Sequence, residues 1–169
     1  MKQRMGKVAF DRIKRPENIR LPTMLDVYPL EDDKSTRVSQ FFRNLKEGRL
    51  TTTKCEKCSR LLWPPRIVCP NCLSTELEWV DLGAEGELYA FTEMRLGAPL
   101  GFVEEVPFCA GIVQINDLLI STRIDNVKYD DLKIGDRLQL KIVELEDGRV
   151  FYRFQKLRKA RKNRQDNST

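Results

Sequence analysis

The spacing of apolar residues changes along this chain, and the changes mark out its parts. Residues 1–34 hold no sustained period, and Pro16, Pro22 and Pro29 interrupt any long helix. An extended arm is expected there, with an apolar stretch over residues 21–30 suited to packing on something else. Val38, Phe41, Phe42 and Leu45 then fall at i, i+3, i+4 and i+7, which predicts an amphipathic helix over 35–48 in a segment running to Leu50. Ser35 or Thr36 is the expected N-cap and Gly48 the expected residue just past the C-cap. The apolar face has two readings: it packs on the rest of the chain, or Phe41, Phe42 and Leu45 enter a partner's groove.

Beyond residue 76 the period shortens to two. Leu77–Leu82, Glu87–Met94, Phe108–Ile115, Leu118–Ile124, Arg137–Leu145 and Arg149–Gln155 all have strand composition or alternation. Asn116-Asp117 and Glu146-Asp147-Gly148-Arg149 are turn sequences between them. Five or six short strands with glycine-marked turns predict a small closed barrel of the OB type over 77–155. The expected fold is therefore mainly β: a helical arm, a small module over 51–76, then the barrel. A polar, basic tail over 156–169 is expected to be disordered.

The small module carries the strongest chemical signal. Cys55-x2-Cys58 and Cys69-x2-Cys72 supply two pairs of thiolates ten residues apart. Each pair lets two sulfurs from one tight turn reach a single ion, and two turns complete a tetrahedral Zn2+ shell. Four protein ligands leave no position for water or substrate, so the site is structural. A module this small lacks the core to fold alone, and zinc binding of roughly 10–16 kcal/mol apparent orders it. A redox role is disfavoured, because redox Cys-x2-Cys motifs come singly at a helix start. Cys109, between Phe108 and Ala110, reads as a small buried hydrophobe.

Composition narrows the function. The chain contains no histidine, which removes the commonest general base and any Ser-His or Cys-His nucleophile pair. No run approaches 18 apolar residues, so no membrane span is expected, and the N-terminus lacks an apolar signal region. Paired cysteines used for metal fit a reducing, cytoplasmic setting. The net charge of +5 comes from the ends. Residues 1–20 and 156–169 each carry +5, whereas the body, 21–155, carries −5.

The order of these features resembles a known family. The paired aromatics Phe41-Phe42 lead into Gly48-Arg49-Leu50 and then Cys55-x2-Cys58. A Trp63-Pro64-Pro65-Arg66 segment follows, and Cys69-Pro70-x-Cys72 precedes the strands. Over about residues 35–155 this resembles the rubredoxin-like zinc-ribbon plus OB-fold proteins associated with acyl-CoA enzymes, long catalogued as a domain of unknown function. Ser59 and Leu73 depart from the pattern, which usually has Gly after the second Cys of each knuckle. The resemblance implies a non-catalytic scaffold for thiolase-like enzymes. In archaea the implied partners are acetoacetyl-CoA thiolase and hydroxymethylglutaryl-CoA synthase of the mevalonate route, with a CoA thioester as shared ligand. It also implies that the Pro-Pro-Arg segment and the following barrel loop face CoA.

Local chemistry agrees with that reading. Trp63, Pro64 and Pro65 form a rigid apolar platform flanked by Arg60 and Arg66, which suit phosphates. The loop Arg95–Phe102, with Gly97 and Gly101, has small and apolar residues suited to a pantetheine channel. The competing reading is architectural: Trp63 and the prolines weld ribbon to barrel, and the glycines only serve the turn. A nucleic-acid-binding protein is the alternative function, since ribbons and OB folds both bind nucleic acids. A groove that tracks phosphates must be positive, and the body here is negative.

Overall fold

The structure, a computed structural model, describes residues 9–13, 29–98 and 102–157. The chain order is β1 (Ala9–Ile13), α1 (Ser39–Lys46), β2 (Thr51–Cys55), β3 (Leu61–Leu62), β4 (Leu77–Asp81), β5 (Glu85–Met94), β6 (Phe108–Ile115), β7 (Leu118–Asp125), β8 (Arg137–Leu145) and β9 (Val150–Lys156). Among the described residues no helix is long and apolar enough to cross a membrane. Residues 158–169, most of the tail expected to be disordered, lie outside the described residues.

β5 to β9 close on themselves. The order β8-β5-β6-β7-β9 returns to its start through the β8–β9 ladder, giving a five-stranded barrel of OB type. Closure requires β5 to curve. Its register slips between Leu88 and Ala90, and this bulge lets one ten-residue strand pair with β8 early and β6 late. The interior is filled by Leu88, Val113, Ile120, Leu138, Leu140, Ile142 and Phe154, all fully buried. Cys109 sits among them, and burial pushes its thiol pKa up, as expected of a packing residue.

A glycine makes the close approach between β5 and β6 possible. A Cβ at Gly86 would lie 2.4 Å from Val113 Cγ1 and 2.9 Å from the Gln114 carbonyl oxygen. The carbonyl cannot yield without breaking the β5–β6 ladder. Gly86→Ala is therefore expected to destabilise the barrel by about 1–3 kcal/mol. A lowered denaturant midpoint, against an unchanged one for Glu87→Ala next door on the exposed face, checks this.

Two sequence expectations need correction. First, the helix is shorter than 35–48, and neither Ser35 nor Thr36 caps it. Val38 occupies the N-cap position without a side-chain bond. Asp32 explains the difference: its carboxylate accepts the Lys34 and Ser35 N–H groups at 2.8 Å each, holding them in a turn before the helix. At the other end the expectation holds. Gly48, at φ 79°, donates to Leu45 and Arg49 donates to Asn44, a Schellman ending. Second, Leu77–Asp81 is not a barrel strand. It pairs with β2 along its whole length and completes the three-stranded ribbon sheet β3-β2-β4. The arm, expected to be extended, contributes a strand: β1 runs parallel to β8 from Ala9 opposite Lys141 to Ile13 opposite Leu145. β8 thus shares one edge between β5 and β1 while β9 takes the other.

The helix joins the two sheets. α1 lies against β9 and β2. Its face turns inward, with Phe41 and Leu45 buried in the barrel's cluster and Phe42 half-buried against it. These three side chains pack within their own chain, so the partner-groove reading of them loses its ground. Asn44, also buried, donates to the Thr51 hydroxyl at 2.9 Å and ties the helix to the ribbon.

Candidate functional site

The four predicted ligands converge. The Sγ atoms of Cys55, Cys58, Cys69 and Cys72 all lie within 4.8 Å of one another, with Cys55 to Cys72 at 3.5 Å and Cys58 to Cys69 at 3.6 Å. Each knuckle is a tight turn closed on its own backbone: Ser59 N–H donates to Cys55 and Leu73 N–H to Cys69, at 2.8 and 2.9 Å. Both turns require a left-handed residue after the second cysteine, and Ser59 and Leu73 adopt it, at φ 58° and 59°. The departure from glycine therefore costs some strain but does not alter the geometry.

Backbone N–H groups point at the sulfurs. The Arg60 N–H holds the Cys58 thiol down to about 6, against burial. The Cys72 and Asn71 N–H groups lower Cys69. At Cys72 the Ser74 N–H lowers the pKa, but burial and the other three sulfurs outweigh it and push the thiol up to about 11. Four sulfurs this close resist becoming anions together, and a divalent cation at their centre reverses that resistance. The donor set and the spacing fit a structural metal site of the zinc-ribbon kind.

The Trp63-Pro64-Pro65-Arg66 segment is pinned by β2. The Thr53 hydroxyl donates to the Arg66 carbonyl at 3.1 Å and accepts from the Arg66 N–H at 3.0 Å. Trp63 stacks edge to face on Phe41 and Tyr152, with ring centroids 5.9 and 5.6 Å away. It thereby joins ribbon, helix and barrel, the architectural role weighed above. Pro64, Arg66 and Arg60 are exposed and Pro65 is half-buried. Arg95 is exposed and pairs with Glu93, and Gly97 takes φ 72° in the turn. Gly101 lies outside the described residues.

None of Arg60, Arg66, Arg95 or Gly97 lines the cleft that the barrel does form. That cleft, of about 340 Å³, opens between β7 and β9 beside Met94 and Phe102. Met94, Phe102, Phe108 and Phe151 give it apolar walls, and Arg123 and Arg153 give it charge. Behind it lies an ionic cluster. Asp125 faces Lys141 at 3.0 Å, Arg153 at 3.3 Å and Arg123 at 3.2 Å, and Glu105 pairs with Arg123. Asp125, Lys141 and Arg153 are each less than a tenth exposed. The guanidinium groups also lie over rings, Arg123 over Phe108 at 4.5 Å and Arg153 over Phe151 at 4.9 Å.

Sequence reasoning missed this cleft. Lys141 and Arg153 lie on one predicted hairpin, Glu105 reads as a solvated loop charge, and nothing in the sequence marks Arg123 as their neighbour. A signal was present: Arg123 and Asp125 share one strand face, as do Phe151 and Arg153. Nothing local says that the two faces meet.

Comparison with known proteins places the chain. The profile of the rubredoxin-like zinc ribbon domain of ChsH2 matches residues 44–78, and that of the ChsH2 C-terminal OB-fold domain matches 79–143. A DUF35 domain-containing scaffold protein of Pyrococcus furiosus is 30% identical over 125 residues, covering 70% of this chain and 90% of the relative. The chain belongs to the DUF35 family. Another relative, the benzoylsuccinyl-CoA thiolase subunit BbsA of Thauera aromatica, is 26% identical over 110 residues, covering 62% of this chain and 74% of the relative. The solved Ltp2-ChsH2(DUF35) aldolase superposes with a TM-score of 0.61 at 21% identity, covering 84% of this chain and 98% of that one. At that identity the likeness speaks for the DUF35 fold alone.

Proposed function

We propose that this DUF35 chain is a non-catalytic accessory subunit of an acyl-CoA enzyme. It docks on a thiolase-like partner and helps hold that partner's CoA thioester. Membership of a family whose relatives are named as scaffold proteins and as a thiolase subunit carries this reading. The chain's own chemistry supports it. The four-cysteine shell is closed to substrate, and without histidine the sequence offers no Ser-His or Cys-His pair. The proposed partner pair is acetoacetyl-CoA thiolase with hydroxymethylglutaryl-CoA synthase, in the cytoplasm. Exposed Arg60 and Arg66 are proposed to meet the phosphates of CoA, with Pro64 and Pro65 beneath them and Arg95, Gly97 and Gly101 on the neighbouring loop. Ile67, Val68 and Leu73, all exposed on the second knuckle, offer apolar surface for docking.

Affinity capture of the tagged protein from its own cytosol, with and without nuclease and at low and moderate salt, tests this. A thiolase-fold enzyme is expected to co-elute in all conditions. Recovery of ribosomal or RNA-bound proteins that disappear with nuclease would overturn the accessory-subunit reading in favour of nucleic-acid binding.

A further inference from the structure

The parallel ladder between β7 and β9 is short. It registers only Ile124 with Phe154 and Asp125 with Gln155. Upstream of those pairs the ladder register ends, the Tyr152 hydroxyl donates to the Ser121 carbonyl at 3.3 Å, and Ser121–Arg123 and Phe151–Arg153 line the cleft. The opening is therefore a property of the barrel's topology.

Its contents are selective. About 340 Å³ lies near the lower bound of small-molecule sites. That volume takes one ring or a short carbon chain, and excludes a whole CoA. The walls offer aromatic surface for such a body. The charge is flanked on one side: Arg123 Nη1 donates to Glu105, Asp125 lies 3.2 Å from the buried Nε without hydrogen-bonding it, and the Phe108 ring lies 4.5 Å from the guanidinium. Among the described residues its Nη2 has no partner, so one donor edge of the guanidinium is available. Such a group loses little side-chain freedom on binding.

We propose that this cleft binds a small apolar carboxylate, its carboxylate on Arg123 Nη2 and its aryl or acyl body against Phe102, Phe108 and Phe151. The accessory-subunit reading bears only on the source of the ligand, which is then the free carboxyl end of a dicarboxylic acyl group whose other end is the partner's thioester. The binding itself belongs to this chain alone.

Calorimetric titration of the full, metal-loaded protein with phenylbutyrate and with its uncharged counterpart phenylbutanol tests the proposal. The acid is expected to bind at least about tenfold more tightly than the alcohol, the effect of a charge-assisted contact. Arg123→Lys keeps the charge but loses the guanidinium edge, and is expected to reduce that preference several-fold. Ser121→Trp, on the exposed lip and outside the ionic cluster, is expected to abolish binding of both probes while leaving the thermal midpoint unchanged. Equal affinity for acid and alcohol, no saturable binding, or binding indifferent to Ser121→Trp would each sink the proposal. Partner capture is read separately, so a failure here with the thiolase-fold enzyme still co-eluting is a failure of the cleft assignment alone.

Discussion

Chelation of the metal is expected to unfold the ribbon and leave the barrel standing. In hydrogen-exchange measurements, amides across Thr51–Asp81 should lose protection on treatment with a strong chelator, while those of β6 to β9 keep theirs. The difference follows from what each part buries. The ribbon's own cluster consists of Cys55, Leu62 and Cys69, with Cys58, Cys72 and Leu77 packed around them. Four of those six are the metal ligands, so removing the ion removes the reason for the cluster. The barrel has its own apolar interior. Cys69→Ser should give the same pattern without chelator. Protection across Thr51–Asp81 that survives chelation would show that packing on α1 and Leu82 suffices to hold the ribbon.

Replacing Asp125 by alanine is expected to cost about 3–5 kcal/mol of unfolding free energy, the range for removing one partner of a buried ion pair. Lys141, Arg153 and Arg123 all reach this carboxylate, and the first two are almost completely buried with it. Without Asp125 the three cations keep Glu105 as a neighbour at one end but lose the anion at their centre. Asp125→Asn, which preserves shape and one acceptor, should cost less. Denaturant titration of both variants gives the answer, and a loss below about 1 kcal/mol for the alanine form would mean that other groups neutralise the cluster.

What the sequence disclosed and what it hid divide along a physical line. Features written within a few neighbouring residues were legible. Two Cys-x2-Cys turns encode a metal shell, because the ligand geometry is satisfied within each turn. The bounds of β6 and β8 were read correctly, since period-two burial is printed along the strand itself. The Schellman ending at Gly48 was equally local. Features that depend on distant parts meeting were not legible. Parallel pairing of β1 with β8 joins residues far apart in sequence, with no turn to announce it. β4 has the composition of any barrel strand, and only the position of β2 decides which sheet receives it. The ionic cluster draws on β7, β8, β9 and the short helical turn Val103–Glu105, so no window of sequence contains it. The N-cap was missed for a smaller reason: Asp32, just upstream, takes the Lys34 and Ser35 N–H groups into a turn of its own, and the helix starts only at Ser39.

The shared edge of β8 has a consequence for how the chain keeps to itself. Where β5 leaves off, at Gln139, β1 takes over from Lys141 to Leu145. Without Ala9–Ile13 that stretch would present a bare row of backbone donors and acceptors, flanked by Ile142, Val143 and Leu145. Such a row is a template for the same strand from another copy. The N-terminal strand therefore acts as a guard against self-association, and a shortened chain would be prone to exchange strands or aggregate even with its metal and its barrel interior intact.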